Sequence, residues 1–316
     1  MAAFFYFITV AALCKKCLII NQMKILNKTT LADLQDTKIV QIEVSAPDIS
    51  KKAMPGQFVV LMANERGERI PLTVVAKDVK KGSVTLILQE LGLTTKLLGK
   101  LKTGDSLYAL VGPLGHATEI KNYGKVILVG GGVGIAEIYP VARAFKEAGN
   151  HVTAILGART KELLILENEL KSVSSELRIT TDDGSYGRKG FTTDVLRELL
   201  VHSPQSTDHR PQTTDHTLHP ITYNLVYAVG PIPMMRKVAA TTSEFGIKTV
   251  VSLNAIMVDG TGMCGCCRVT VANQTKFSCV DGPEFDAHLV DWDELIKRSK
   301  IYLKQEKHIC QLENKV

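Results

Sequence analysis

The stretch Met257-Val-Asp-Gly-Thr-Gly-Met-Cys-Gly-Cys-Cys267 holds three of the seven cysteines of this 316-residue chain within four positions. A fourth, Cys279, lies twelve positions beyond Cys267 in Lys276-Phe-Ser-Cys-Val-Asp-Gly-Pro283. A hydrophobic core uses cysteines singly, whereas a metal centre needs several soft ligands at one point and glycines that let backbone N–H groups approach the sulfurs. The stretch therefore indicates a metal centre near the C-terminal end of the chain.

Two ligand sets fit the spacing of this stretch. One uses Cys264, Cys266, Cys267 and Cys279, and the other has Asp259 in place of Cys266. We favour the second, because its intervals of four and then two residues match the spacing of plant-type 2Fe-2S clusters, with the aspartate in the first place. Adjacent Cys266 and Cys267 would also have difficulty facing one cluster. A structural zinc site and free buried cysteines are the simpler alternatives.

The run from Val258 through Cys279 to Asp286 resembles the small subunit of NADH-dependent ferredoxin:NADP+ oxidoreductases, which carries FAD and a 2Fe-2S cluster. Such subunits are also described as sulfide dehydrogenase subunits or ferredoxin-NADP reductase alpha subunits. They are related to the electron-transfer subunit of dihydroorotate dehydrogenase, in which a cysteine takes the place of Asp259. The aspartate favours the first of these relatives, and the resemblance covers nearly all of residues 23–316.

This resemblance implies an oxidoreductase subunit with FAD, a 2Fe-2S cluster and NAD(H) as cofactors. A hydride would pass from the nicotinamide to the flavin and single electrons would pass on to the cluster, so that no side chain need act as an acid or base. The resemblance also implies a heterodimer with a larger flavin and iron–sulfur subunit, where ferredoxin and NADP+ react. A dihydroorotate dehydrogenase electron-transfer subunit and a non-catalytic redox sensor or relay are the alternatives.

Length and composition predict two or three domains in a soluble globular protein, with 45% hydrophobic and 22% charged residues. The net charge of +6 is mild and spread along the chain, so nucleic-acid binding is not expected. Four of the seven cysteines lie in or beside the proposed metal centre, which suits a reducing compartment better than a disulfide framework. We therefore expect a cytoplasmic protein.

The predicted architecture has three parts. They are a flavin-binding β-barrel over residues 23–123, a doubly wound α/β nucleotide-binding domain over residues 124–250, and a small C-terminal 2Fe-2S module over residues 251–316 with a closing helix around Asp293 to Lys307. Residues 1–22 form an N-terminal extension whose apolar run is too short to span a bilayer and lacks the features of a signal peptide. We interpret it as an upstream start and expect no membrane attachment, with an interfacial anchor as the alternative.

The barrel is predicted from short alternating strands separated by turn residues, at Lys38–Val44, Gly56–Met62, Ser83–Leu88 and Ser106–Leu110. Gly112-Pro-Leu-Gly115 is interpreted as the tight turn that closes it.

Arg69-Ile-Pro-Leu-Thr73 resembles the flavin-binding strand of the ferredoxin-reductase superfamily, usually Arg-x-Tyr-Ser/Thr. The resemblance implies that Arg69 contacts the FAD pyrophosphate, that Pro71 and Leu72 line the flavin, and that Thr73 is the catalytic contact near flavin N5. The segment departs from the pattern, since Arg69 lies four residues before the hydroxyl instead of three and no tyrosine lies between them.

A second predicted flavin contact is the segment Gly92-Leu-Thr94-Thr95, at the start of a short apolar helix. The free N–H groups and the positive end of a helix dipole suit a diphosphate. A plain turn with an N-cap is the simpler alternative.

The nucleotide-binding domain begins with a buried strand at Lys125–Val129, followed by a glycine loop and a helix to about Ala148. Glycines at 131, 132 and 134 let the main chain approach a nucleotide phosphate at the helix N-terminus, so we predict cofactor contacts from Gly131, Gly132 and Gly134. Further strands at His151–Gly157, Leu177–Thr181 and Tyr223–Val229 alternate with helices and indicate a parallel sheet.

The segment from Ala228 to Met235 resembles the Cys-Gly-Pro-x-x-Met segment that lies beside the nicotinamide in the superfamily, with Val229 in place of the cysteine. The resemblance implies cofactor contacts from Gly230, Pro231 and Met234.

Two aspartates, Asp182 and Asp183, lie at the end of a predicted strand, where carboxylates could bind ribose hydroxyls and repel a 2′-phosphate. They predict a preference for NADH over NADPH, whereas Arg159 and Lys161 favour the opposite. Solvated loop charges are the simpler interpretation.

Residues 203–222 differ from the rest of the chain because proline, threonine, histidine and aspartate dominate. We interpret them as a disordered, low-complexity surface insertion, with a histidine metal site as the alternative.

Overall fold

The computed structural model describes residues 23–34, 37–65, 67–201, 222–305 and 308. The N-terminal extension 1–22 and all but the last residue of the insertion 203–222 lie outside these ranges. Within them, no helix combines the length and the apolar character needed to cross a bilayer.

The N-terminal part of the chain forms two antiparallel sheets and two short helices. One sheet has the strand order β1-β2-β6-β5 and the other has the order β4-β3-β7. The elements are β1 (Ile25–Leu34), β2 (Thr37–Ser45), α1 (Pro47–Lys52), β3 (Phe58–Met62), β4 (Ile70–Thr73), β5 (Ala76–Asp78), β6 (Ser83–Gln89), α2 (Leu93–Lys100) and β7 (Ala109–Leu114). Alternate side chains of β2 and β6 meet β3 in one apolar core, as a small barrel requires. The predicted β-barrel fold is confirmed.

The last barrel strand begins later than the sequence predicts. Ser106, the start of the predicted strand Ser106–Leu110, forms only an isolated bridge with Lys24, and β7 begins at Ala109. This part of the prediction was wrong because Ser106 and Leu107 bond with the residues just before β1, and bonding with β3 starts only at Tyr108.

Gly112 and the residues to Leu114 lie inside β7 and not in the predicted tight turn. Leu114 pairs with Phe58 of β3. A Cβ atom on Gly112 would lie 2.7 Å from a methyl carbon of Val59, so the glycine allows the two strands to approach. The strand ends before Gly115, whose φ of +74° favours glycine.

The central part of the chain forms a seven-stranded sheet with the order β11-β10-β9-β8-β12-β13-β16, parallel except for β16. Its strands are β8 (Lys125–Gly131), β9 (His151–Ala158), β10 (Glu176–Thr181), β11 (Arg188–Lys189), β12 (Leu225–Val229) and β13 (Thr249–Ser252). The helices are α3 (Gly134–Glu147), α4 (Glu167–Val173), α5 (Thr192–Val201) and α6 (Ile232–Ser243), with a 3-10 turn at Lys161–Leu163.

The side chains of β8 are buried on both faces of this sheet. Val126 and Leu128 pack with α3, whereas Ile127 and Val129 pack with α5 and α6. Helices on both faces explain why β8 is a continuous apolar run. The strand order reverses at β8, so the crevice at its carboxyl end is where ligands bind in such folds. The predicted doubly wound α/β fold is confirmed.

The C-terminal part holds a hairpin of β14 (Arg268–Val271) and β15 (Gln274–Phe277), then β16 (Glu284–Asp286) and α7 (Trp292–Arg298). β16 pairs antiparallel with β13 and so joins this part to the central sheet. Asp291 caps α7 by accepting the backbone N–H of Glu294 at 2.9 Å. The helix is shorter than predicted, and residues 306 and 307 of the predicted helix lie outside the described ranges. The domain boundaries at 123/124 and 250/251 stay predictions.

Candidate functional site

A cavity of about 220 Å³ lies between the barrel and the central sheet. It brings together four predicted flavin contacts, Pro71, Leu72 and Thr73 of β4 and Thr95 of α2. Among the described strands, β4 pairs only with β3, and three of its residues line this cavity. A largely apolar wall with a few hydroxyls, from Thr73, Thr95 and Ser252, suits a planar aromatic group such as a flavin ring. The remaining wall is lined by Phe58, Val75, Ile87, Leu88, Gln89, Val133, Ala136, Glu137, Ser252, Leu253, Asn254, Met257 and Pro283.

Arg69 is exposed and does not line this cavity. The two threonines of α2 already have partners: Thr94 donates to Glu68 at 3.1 Å, and Thr95 accepts the backbone N–H of Gly92 at 3.0 Å. A Cβ atom on Gly92 would meet nothing within 4 Å, so the backbone at the start of α2 is open to a ligand. For a diphosphate at this helix the structure thus offers backbone N–H groups more than hydroxyls.

Glu137, on the first turn of α3, is an acidic residue of the cavity that sequence reasoning missed. The hydroxyl of Thr73 donates a hydrogen bond to the Glu137 carboxyl, and both residues line the cavity. Burial raises the pKa of Glu137 to about 7, against 4.5 ordinarily, and the Thr73 hydrogen bond opposes the rise. An acidic residue between Ala136 and Ile138, both buried, was the signal available in the sequence.

A larger cavity of about 630 Å³ opens at the carboxyl end of the central strands. It brings together five predicted nucleotide contacts, Gly131, Gly132, Asp182, Pro231 and Met234. Its volume and its position at the reversal of strand order suit a nucleotide.

The glycines of the loop between β8 and α3 have different roles. Gly132 has a φ of +57°, and a Cβ atom there would meet nothing within 4 Å, so its backbone faces the open cavity. A Cβ atom on Gly134 would lie 2.5 Å from the carbonyl oxygen of Val229, so this glycine seats α3 against β12 and does not line the cavity. Gly230 likewise packs against Gly131 and does not line it.

The two predicted ribose-binding aspartates are separated in the structure. Asp182 lines the cavity, but the carboxylate of Asp183 accepts the backbone N–H and the hydroxyl of Ser185 at 2.9 and 2.7 Å. These bonds lower the pKa of Asp183 and hold it in its own turn. Two cationic side chains, Arg159 and Lys237, also line the cavity, and Lys237 was not predicted because no motif contains it.

The cysteine-rich stretch forms an irregular loop with positive φ angles at Gly260, Gly262 and Gly265, of +77°, +86° and +67°. Asp259 lies at its start and accepts the backbone N–H groups of Thr261 and Cys264 at 2.8 and 3.0 Å. These bonds lower the pKa of Asp259, so the carboxylate is ionised at neutral pH.

Two of the proposed ligands are already together. The sulfurs of Cys267 and Cys279 lie 3.2 Å apart, and both residues are buried free thiols. Cys264 is exposed, and its sulfur accepts the backbone N–H of Cys266 at 3.5 Å. Among the described residues, no group of three or more histidine, cysteine, aspartate or glutamate side chains is close enough to hold a metal ion. Two thiols and a carboxylate on one glycine-rich loop, with the thiol of Cys279 after β15, nevertheless fit a cluster chemically, and the ligand set stays a proposal.

Both the cysteine-rich region and the nucleotide-binding domain have counterparts in known proteins. Residues 254–291 match the model of the iron-sulfur cluster binding domain of dihydroorotate dehydrogenase B, and residues 128–240 match that of the oxidoreductase NAD-binding domain. The chain is 49% identical over 264 residues to a protein of Thermotoga maritima named dihydroorotate dehydrogenase B (NAD(+)), electron transfer subunit homolog, covering 84% of this chain and 87% of that protein. The chain belongs to the dihydroorotate dehydrogenase B electron transfer subunit family.

The chain is also similar to a solved structure described as an NADH-dependent reduced ferredoxin-NADP oxidoreductase that gives insights into flavin-based electron bifurcation. It is 46% identical, has a TM-score of 0.79, and the match covers 90% of this chain and 95% of that one. A ferredoxin-NADP+ reductase from Plasmodium falciparum, 13% identical with a TM-score of 0.51 over 71% of this chain and 90% of that one, shares the fold. These matches confirm the predicted family and the oxidoreductase class. They favour iron–sulfur over zinc at the cysteine-rich loop.

Proposed function

We propose that this chain passes electrons from NADH through FAD to a 2Fe-2S cluster and on to a larger partner subunit, as in NADH-dependent ferredoxin:NADP+ oxidoreductase. The observation that carries the proposal is the contiguity of the three sites. Gln89 and Val133 lie in the walls of both the nucleotide cavity and the flavin cavity. Met257 lies in the flavin cavity wall, two residues before Asp259 of the cluster loop.

Bound FAD would supply the conversion of a two-electron hydride donor into a source of single electrons. The residues of the chain position the nicotinamide and the flavin. We expect Pro231 and Met234 to hold the nicotinamide at the mouth of the flavin cavity, with Asp182 on the ribose side. Pro71 and Leu72 would line the flavin ring and exclude water from it.

Thr73 would present its hydroxyl to the reacting edge of the flavin, held there by Glu137. Asp259, Cys264, Cys267 and Cys279 would hold the cluster. The glycines of the loop would turn backbone N–H groups towards its sulfurs, which favours the reduced, more negative form.

A larger flavin and iron–sulfur subunit is the proposed partner, because the relatives are named as subunits. Three apolar side chains on and beside the cluster loop, Val258, Met263 and Val280, are 42%, 89% and 39% exposed. Exposed apolar groups of this kind mark interaction surfaces. We also infer a cytoplasmic location, because cysteines that ligate a cluster must be thiolates and not disulfides, which suits a reducing compartment.

A dihydroorotate dehydrogenase partner is the second candidate, because relatives carry that name. Asp259 in the first ligand position favours the ferredoxin:NADP+ type.

Purification of the native complex tests both. We expect equal amounts of iron and acid-labile sulfide, bound FAD, NADH-dependent reduction of an artificial acceptor, and a co-purifying subunit with its own flavin and iron–sulfur clusters. A co-purifying dihydroorotate-oxidising subunit would establish the second candidate. Protein with both cofactors that NADH does not reduce would instead be a redox sensor or relay.

A further inference from the structure

The carboxyl group of Glu284 lies where three parts of the chain meet. Glu284 opens β16, and one of its oxygens accepts the hydroxyl of Tyr227 on β12 at 2.8 Å and the hydroxyl of Thr118, which follows the barrel. Tyr227 and Thr118 are both buried. A Cβ atom on Gly56 of the barrel would lie 2.6 Å from the same oxygen, so the glycine leaves room for the carboxyl.

This carboxyl is close to both predicted redox centres. Pro283, next to Glu284 in the chain, and Ser252, its partner in the sheet, both line the flavin cavity. The proposed cluster ligand Cys279 lies five residues before Glu284. Five residues of fully extended chain span at most about 18 Å, so an electron on either centre would add negative charge within that range of this half-buried acid.

The groups that face Glu284 leave its charge uncompensated. Burial raises the pKa of Glu284, and the hydrogen bonds from Thr118 and Tyr227 oppose the rise. The titratable neighbours are Tyr227 of β12, Tyr123 before β8, and Glu137 of α3, which acts on Tyr227. No lysine or arginine of the described ranges contributes to the shift. An acid in this setting responds to a new negative charge by binding a proton.

We propose that Glu284 is a redox-linked proton site, which binds one proton when an electron arrives at the cluster and releases it when the electron leaves. The inference rests on the proposed electron-transfer function. Each electron adds one negative charge, and one proton from solvent forms the O–H bond of the Glu284 carboxyl. When the electron passes to the partner, that bond breaks and the proton returns to solvent. A role confined to joining the three parts of the chain would involve no such exchange.

The test is the pH dependence of the cluster's midpoint potential, from EPR-monitored redox titration of the purified complex between pH 5 and 9. In the wild type we expect the potential to fall with rising pH across one window, with a limiting slope of about 59 mV per pH unit for a tenfold change in proton concentration. Glu284→Gln keeps the shape of the side chain and should make the potential independent of pH. Tyr227→Phe removes a donor to the carboxylate and should move the window to higher pH.

A wild-type potential that does not change with pH would overturn the inference, even if the Glu284→Gln protein does not fold. A slope that persists unchanged in Glu284→Gln would do the same, because another group would then carry the proton. If NADH does not reduce the cluster of the complex, the result counts against the proposed function. The pH dependence of the midpoint potential is then measured on chemically reduced protein and still tests the proton site.

Discussion

Replacing Glu137 by glutamine should raise the free energy of unfolding relative to the wild type, and this increase should be larger at pH 8 than at pH 5. In the folded chain the pKa of Glu137 is raised to about 7 from 4.5 by burial. Because the pKa of this acid is higher in the folded than in the unfolded chain, the protonated Glu137 contributes fully to the free energy of unfolding below pH 4.5. That contribution is lost as the pH rises through 7. Glutamine does not titrate, so the variant should not lose it.

The size of the effect follows from the pKa. One pKa unit corresponds to about 1.36 kcal/mol, so a rise to about 7 corresponds to an upper value of about 3 kcal/mol. The carboxyl faces a cavity that admits water, which reduces this to about 2 kcal/mol. At roughly 2–4 °C per kcal/mol, the melting temperature of Glu137→Gln should exceed that of the wild type by about 5 °C at pH 8.

The assay is thermal denaturation of both proteins, with FAD content matched, at pH 5 and pH 8. Glu147→Gln at the other end of α3 is the control, because the Glu147 side chain is 72% exposed and its loss should change neither melting temperature by more than about 1 °C. A Glu137→Gln melting temperature that is equal to the wild type at pH 8, or lower, would refute the reasoning. It would mean that the carboxyl is hydrated in the cavity or paired with a cation.

Four other substitutions test the cofactor sites and the glycine loop beside them. Asp259→Cys should retain a 2Fe-2S centre with an altered spectrum and potential, because a thiolate delocalises more charge from iron than a carboxylate does. Cys266→Ser should keep the spectrum and the potential nearly unchanged. Iron content and EPR of the reduced variants check both expectations. The wild type should prefer NADH to NADPH. Asp182→Ala should reduce the ratio of the two kcat/KM values by about tenfold, since one charge interaction contributes about 1.4 kcal/mol. A wild type that prefers NADPH would exclude Asp182 as the residue that selects NADH. Gly134→Ala should destabilise the fold by about 1–3 kcal/mol, measured by thermal denaturation, because its new Cβ would lie 2.5 Å from the carbonyl oxygen of Val229.

The sequence predicted the central sheet well because its signals are local. The apolar run of β8 and the glycines that follow it place the nucleotide loop, and the observed strand Lys125–Gly131 and helix from Gly134 agree with the prediction. The long strand β1 was missed because only Ile25 and Ala32 of its ten residues are buried, so the alternation that marks a strand is absent.

The candidate sites were predictable where motif residues follow strand ends, as Gly131 and Met234 do. Glu137 and Glu284 were not predictable, because their chemistry depends on partners distant in sequence. Thr73 lies 64 positions from Glu137, and Tyr227 lies 57 positions from Glu284. An acidic residue in an apolar context signals an unusual environment, but only the fold identifies the partner.

The antiparallel pairing of β16 with β13 has a consequence for biosynthesis. Until Glu284–Asp286 leaves the ribosome, β13 is an open sheet edge whose unpaired N–H and C=O groups can pair with another chain. The six parallel strands of this sheet have all been made by Ser252, 32 residues before Glu284, so the nascent protein passes through an association-prone interval that ends when the cysteine-rich loop has been made and β16 has paired. Chains cut short before Glu284 should therefore form oligomers detectable by light scattering. The C-terminal segment proposed to hold the cluster thus also covers the edge of the sheet. A chain that ends before this segment is a reductase fragment with an exposed edge, which favours aggregation.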